Sequence, residues 1–288
     1  MLVLTEDSQL YGALRRLATD QRMVFFAGLP GMGKSLLIHQ LAHLAGAAGR
    51  KIHLLQWDVA RPVFEACEAG QRYPMVGGVT HGVIRKAIGL WSRHAVLDWH
   101  RDHPAPEHLL IGEIPLVGHR LIELARPVAD AAESLLTAGS CCFVIPVPSR
   151  EVRRFLEAER ARRAERPAHE REREDAPPDV LRELWQQLVG VAGALGVVGA
   201  TRAPDASVPY DPLVYRQVYQ LVLKHRRTRV VTVDTVLSTG GVSAYDFAIA
   251  RRDVAPSPDD AARFIREVEA QYPDSEPLER EIDRWYVV

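Results

Sequence analysis

The residues Gly28-Leu29-Pro30-Gly31-Met32-Gly33-Lys34-Ser35 fit the pattern G-x-x-x-x-G-K-[ST] at every fixed position. Glycines at 28, 31 and 33 let the backbone fold into a concave nest of converging N–H groups, and a helix starting near Lys34 adds the positive end of its dipole. Such a nest holds phosphate oxygens. Lys34 is placed to reach the β- and γ-phosphates of ATP as a flexible point charge, and the Ser35 hydroxyl to ligate a bridging Mg2+. Gly28, Pro30, Gly31, Met32, Gly33, Lys34, Ser35 and Leu36 are therefore the candidate nucleotide-binding residues.

Two carboxylates follow apolar runs further along, Asp58 after Lys51 to Trp57 and Glu113 after Leu109 to Gly112. A carboxylate at the carboxyl edge of a parallel sheet lies where open α/β folds bind ligands. Glu113 there can hold Mg2+ or bind substrate, or simply partner Arg120. Gly112 interrupts the long apolar run that usually precedes an ATPase acid. Asp58 is also a residue type favoured at turns and helix caps.

The elements that must position these groups alternate. Apolar runs predict strands at Met23 to Ala27, Lys51 to Asp58, Leu109 to Glu113, Cys141 to Val147 and Arg229 to Thr235. Helical spacing predicts helices at 5–20, after Ser35, over a short stretch near 63–67, and at 83–99, 121–136, 150–166, 179–190, 211–222, 245–250 and 258–271. Alternation of this kind predicts an α/β, doubly wound parallel sheet in three layers. The tail from Ile282 to Val288, with Trp285 and Tyr286, is expected to dock on apolar surface.

The charge-rich helix after Ser149 reads in two ways. Its Glu and Arg residues form i,i+3 and i,i+4 pairs suited to a solvated surface, and its arginines also suit a lid that closes over phosphates. His94, His100, His103 and His108 cluster in sequence, but the spacing gives no helical pair with a third acid and so predicts no metal site.

Composition sets the remaining bounds. The 288 residues are 47% hydrophobic and 25% charged with a formal net charge of −1, which argues against nucleic acid as the main partner. Cys67, Cys141 and Cys142 form no disulfide framework, which suits a reducing, cytoplasmic setting. The longest apolar run, 188–200, is short and broken by glycines, so no membrane span is expected.

The phosphate loop, the strands ending near Asp58 and Glu113, an arginine-rich insert after the fourth strand and a late strand ending Val233-Asp234-Thr235 resemble the P-loop kinases of nucleosides, nucleotides and small metabolites, the uridine kinase and adenylate kinase relatives above all. The resemblance covers roughly residues 20 to 240. It implies a five-stranded sheet of order 2-3-1-4-5, one kinase-like domain over 1–288, a lid at 149–178 and a helical extension at 240–288. It further implies phosphoryl transfer from ATP to a small-molecule or nucleotide hydroxyl or phosphate. Asp58 takes the place of the acceptor-facing base, Arg61 and Glu113 lie on the acceptor side, and Lys34 and Arg153 act on the transferred group. Arg150, Arg153, Arg154 and Arg160 fall where the family places phosphate-contacting arginines. The acceptor segment, 61–82, matches no kinase signature. A nucleotide switch, a partner-binding module and a polynucleotide or toxin-like kinase are the alternatives; the Asn-Lys-x-Asp motif of guanine-specific switches and the Leu-Ser-Gly-Gly-Gln signature of transporters are absent.

Overall fold

Met23–Ala27 forms β1, and all five of its residues are buried. A strand buried on both faces needs a helical layer on each side, and successive side chains point alternately to the two layers. Met23, Phe25 and Ala27 join one apolar core, while Val24 and Phe26 join a second. The computed structural model describes residues 2–170, 172, 176–197, 208–243, 246 and 249–288.

In chain order, α1 (Gln9–Asp20) precedes β1, and α2 (Lys34–Ala47) leads to β2 (Lys51–Gln56). Next come α3 (Trp57–Ala66), α4 (Gly82–Asp102) and β3 (His108–Ile114), then α5 (Ala131–Leu136), β4 (Cys141–Pro148) and α6 (Arg150–Glu165). The chain continues through α7 (Pro178–Ala194), α8 (Pro212–Val222), β5 (Thr228–Val233), β6 (Arg251–Asp253), α9 (Pro258–Gln271) and α10 (Ser275–Asp283). The sheet order is β5-β4-β1-β3-β2-β6, and every neighbouring pair is parallel. Helices α1 and α2 supply the second core, and α3, α4, α7, α8 and α9 the first. No helix among the described residues is long and apolar enough to cross a membrane.

Several elements differ from the expectation. The sheet has six strands rather than five, because β6 pairs with β2 through Ile52↔Arg251, His53↔Arg252 and Leu54↔Asp253. Three charged residues carry no strand periodicity, so only the pairing reveals β6. The extension after residue 240 also holds α10, and α9 and α10 pack against α4. The single helix expected over 121–136 is broken into a 3-10 turn at Ile122–Leu124 and α5. Pro127 lies between them, and Leu116, His119 and Leu121 take φ of 63°, 68° and 61°, which a continuing helix does not allow. The short helix near 63–67 starts earlier, as α3, with Asp58 in its first turn. The helix expected at 245–250 falls largely outside the described residues.

β1 lies between β3 and β4, so the chain leaves β1 toward one edge of the sheet and β4 toward the other. Ligand clefts of open α/β folds form at such a reversal, at the carboxyl ends of the strands. The glycine loop follows β1 there, and α6 follows β4.

Candidate functional site

Gly31 and Gly33 adopt φ of 72° and 77°, the left-handed region that a side chain opposes, and these two turns carry the chain from β1 into α2. Gly33 is the N-cap of α2 and brings no side chain to cap it, and the first turn of α2 holds no acid. Its N-terminal N–H groups and positive dipole end are thus left for an anion. A Cβ on Gly28 would overlap the Tyr215 hydroxyl, so glycine is needed there for close packing against α8.

A cleft of about 1490 Å³ opens on this loop and is lined by Pro30, Gly31, Gly33, Lys34, Ser35 and Leu36. Gly28 and Met32 are not on that lining; Met32 is buried in the first core. The Lys34 side chain is 4% exposed; its ammonium donates to the Leu29 carbonyl at 2.9 Å and lies 3.5 Å from Glu113 Oε1. Burial lowers the Lys34 pKa, and the nearby Glu113 and Asp58 carboxylates oppose that shift. The register explains the pairing. Glu113 sits opposite Phe26 on β1 and opposite Gln56 on β2, and Gln56 donates to Glu113 Oε2 at 3.3 Å. Gly112 sits opposite Phe25, where a Cβ would overlap the phenyl ring, which gives the interrupting glycine a packing reason.

Asp58 lines the same cleft from the first turn of α3, close enough to act electrostatically on both Lys34 and Arg120. Arg61, one turn on, also lines it and pairs with Glu65 at 3.0 Å. Lys34, Ser35, Asp58, Arg61 and Glu113 are therefore gathered in one cleft from three separate segments.

The four α6 arginines divide. Arg160 lines the cleft near Lys34. Arg153 is 2% exposed and lies behind the glycine loop, where it donates to the Gly31 carbonyl at 2.9 Å and pairs with Glu157 at 2.7 Å. That guanidinium braces the loop from outside. Arg150 pairs with Asp211 at 2.8 Å, Arg154 donates to the Arg150 carbonyl at 3.4 Å, and neither is on the cleft lining. Arg162 and Arg163, which the sequence did not single out for contact with phosphate, do line it.

Two further cations line the cleft: Arg85, which the sequence did not mark, and Arg120, which it offered only as a partner for Glu113, whose carboxylate the structure places against Lys34. Arg85 on α4 donates to the Gly118 carbonyl at 2.8 Å, and a Cβ on Gly118 would lie 3.4 Å from the Arg85 guanidinium and 3.5 Å from that of Arg120. Burial and the neighbouring Arg120 lower the Arg85 pKa to about 10. Burial, with Arg61 nearby, likewise lowers that of Arg120, and Asp58 opposes it. Crowded, partly desolvated guanidiniums favour an anion between them. In sequence Arg120 follows Pro115 and Gly118 in the loop after the strand that ends near Glu113, and nothing local marks Arg85. Trp285 and Tyr286 line the cleft as well, so the docked tail forms part of its wall.

No protein-family model, no curated protein and no solved structure matches this chain.

Proposed function

We propose that this chain is a P-loop NTPase of the kinase type, transferring the γ-phosphoryl of ATP to a hydroxyl or phosphate of a small molecule or nucleotide. One observation carries the reading: the glycine loop, at the reversal point of the sheet, shares its cleft with Lys34, Ser35, Asp58 and Glu113. The residues fit a nucleotide and Mg2+, with an uncapped helix N-terminus, left-handed glycines and a buried ammonium on the phosphate side, and a hydroxyl and a carboxylate as hard oxygen donors. Ser35 and Glu113 would hold Mg2+, which when bound would supply neutralisation of charge on the phosphate oxygens.

The chain's own groups supply the rest. Lys34 exchanges part of its Glu113 contact for phosphate oxygen and holds it in place. Asp58 accepts the acceptor hydroxyl proton and aims that oxygen along the line of attack. Arg120, Arg85 and Arg61 form a cationic wall on the acceptor side, which suits an acceptor carrying a phosphate or carboxylate. Arg160 completes the charge over the transferred group, and the lid reading of 149–178 rests on it, whereas Arg153 positions the loop.

ADP release from ATP and Mg2+, measured with and without pooled nucleosides, nucleotides and other anionic hydroxyl metabolites, tests this. Stimulation by one pool, abolished in Lys34→Ala, is expected. Tight ATP binding with no stimulation by any pool would overturn the kinase reading in favour of a nucleotide-dependent switch.

A further inference from the structure

At the opposite, amino-terminal edge of the sheet lies a second constellation. His53 on β2, His103 just past the end of α4, and His108 at the start of β3 each place a ring nitrogen within 4.8 Å of the other two. The register accounts for two of them: Lys51 pairs with His108, so His53, two residues on, projects to the same face one step along the diagonal. Their Nε2 and Nδ1 atoms face each other at 2.9 Å. The third is brought by the turn from α4 into β3, which Arg22 pins by donating to the carbonyls of His103, at 2.5 Å, and of Ala105.

The Nδ1 of His103 lies 3.1 Å from the Trp99 carbonyl, which can only accept, so Nδ1 donates there and Nε2 is the ring nitrogen that remains to ligate. Metal-binding histidines are oriented in this way by a carbonyl on the other ring nitrogen. His53 and His108 share a proton between facing nitrogens, and a cation can replace it. His103 and His108 are half-buried, which leaves a way in from solvent.

We infer that His53, His103 and His108 form a site for a divalent d-block cation of the Zn2+ type, with one coordination position open to water. Three imidazoles suit Zn2+, Ni2+ or Cu2+ and suit the oxygen-seeking Mg2+ and Ca2+ poorly. The site ties β2, β3 and the end of α4 together and is independent of the phosphate cleft. A second cluster, His119, Glu123 and Glu281, has no such role, because the Lys86 ammonium already lies 3.1 Å from Glu123 and 2.8 Å from Glu281.

The test uses untagged full-length protein freed of metal and titrated with Co2+, whose visible absorption reports nitrogen coordination, then with Zn2+. One equivalent of Co2+ is expected to give the absorption of a four- or five-coordinate ion, Zn2+ to displace it, and Mg2+ to leave it unchanged. His103→Ala and His108→Ala, at half-exposed positions, are each expected to weaken binding by at least about 100-fold, since loss of an outer-shell partner alone costs 10–100-fold. Circular dichroism confirms that each variant is folded. Absence of a stoichiometric Co2+ signal would overturn the inference, and so would a signal of unchanged affinity in both variants.

Discussion

The Lys34 ammonium and the Glu113 carboxylate face each other at 3.5 Å in the cleft, a lysine from the first turn of α2 and an acid from the end of β3. The side chains are 4% and 15% exposed, so little water screens the pair. In the proposed reaction this carboxylate both holds the lysine and presents oxygen to Mg2+. Glu113→Gln keeps the shape and removes the charge. ADP release by this variant is expected to need at least about tenfold more Mg2+ for half-activation, in line with lost metal-site support. An unchanged Mg2+ requirement would remove Glu113 from the metal role.

Asp58 lines the same cleft from the first turn of α3, and in the proposed reaction it faces the acceptor. Removal of a general base typically costs about 10²–10⁴ in rate. Asp58→Asn is expected to lower acceptor phosphorylation within that range and to leave ATP affinity little changed, because the substitution does not touch the glycine loop. Turnover of the acceptor and ATP binding by calorimetry separate the two effects. Equal losses in both would show that Asp58 shapes the nucleotide site instead.

The carboxyl end of β1 was legible from the sequence because one continuous stretch encodes it: apolar strand, glycine turn and helix occur without a gap. The rest of the site is assembled from afar. Arg120 belongs to a loop whose path depends on left-handed Leu116, His119 and Leu121, backbone states that no local pattern announces. Arg153 is expected from its place on the charged helix to act on the transferred group, yet Pro30 and Gly31, more than a hundred positions away, hold its guanidinium behind the loop. His53 was passed over for the same reason, since only the β2 and β3 register brings it to His108. Local periodicity carries elements, and long-range pairing decides which of their side chains meet.

Arg120 tests the cationic wall. It packs over Trp57 at 5.9 Å, donates to the Val117 carbonyl at 3.2 Å and lies beside Asp58. A charged hydrogen bond to an anionic acceptor is worth about 1.5–3 kcal/mol, roughly 10- to 150-fold in affinity. Arg120→Ala is therefore expected to raise KM for an anionic acceptor by about that factor, with a smaller effect on a neutral analogue of the same acceptor. Equal changes for both analogues would place Arg120 in support of the loop and not in contact with substrate.

Glu123 lies 2.8 Å from His119 Nε2 and 3.1 Å from Lys86, with its side chain 3% exposed. A Cβ on Gly89 of α4 would overlap its carboxylate, so this glycine makes the room for it. Burial works to raise the Glu123 pKa, but His119 and Lys86 outweigh it and hold the value at about 2, against 4.5 for an ordinary glutamate. A carboxyl group depressed in the folded state stabilises the fold fully above its unfolded pKa and loses that contribution as pH falls through its folded one. Here the loss runs from about pH 4.5 down to about pH 2, and the full contribution is on the order of 3 kcal/mol. Glu123→Gln is expected to destabilise the protein by about that much at pH 7 and by less at pH 3, where protonation weakens the wild-type advantage. Urea unfolding at the two pH values measures the difference. A gap of the same size at both would mean that packing around Gly89, and not the charge of Glu123, accounts for the residue's contribution.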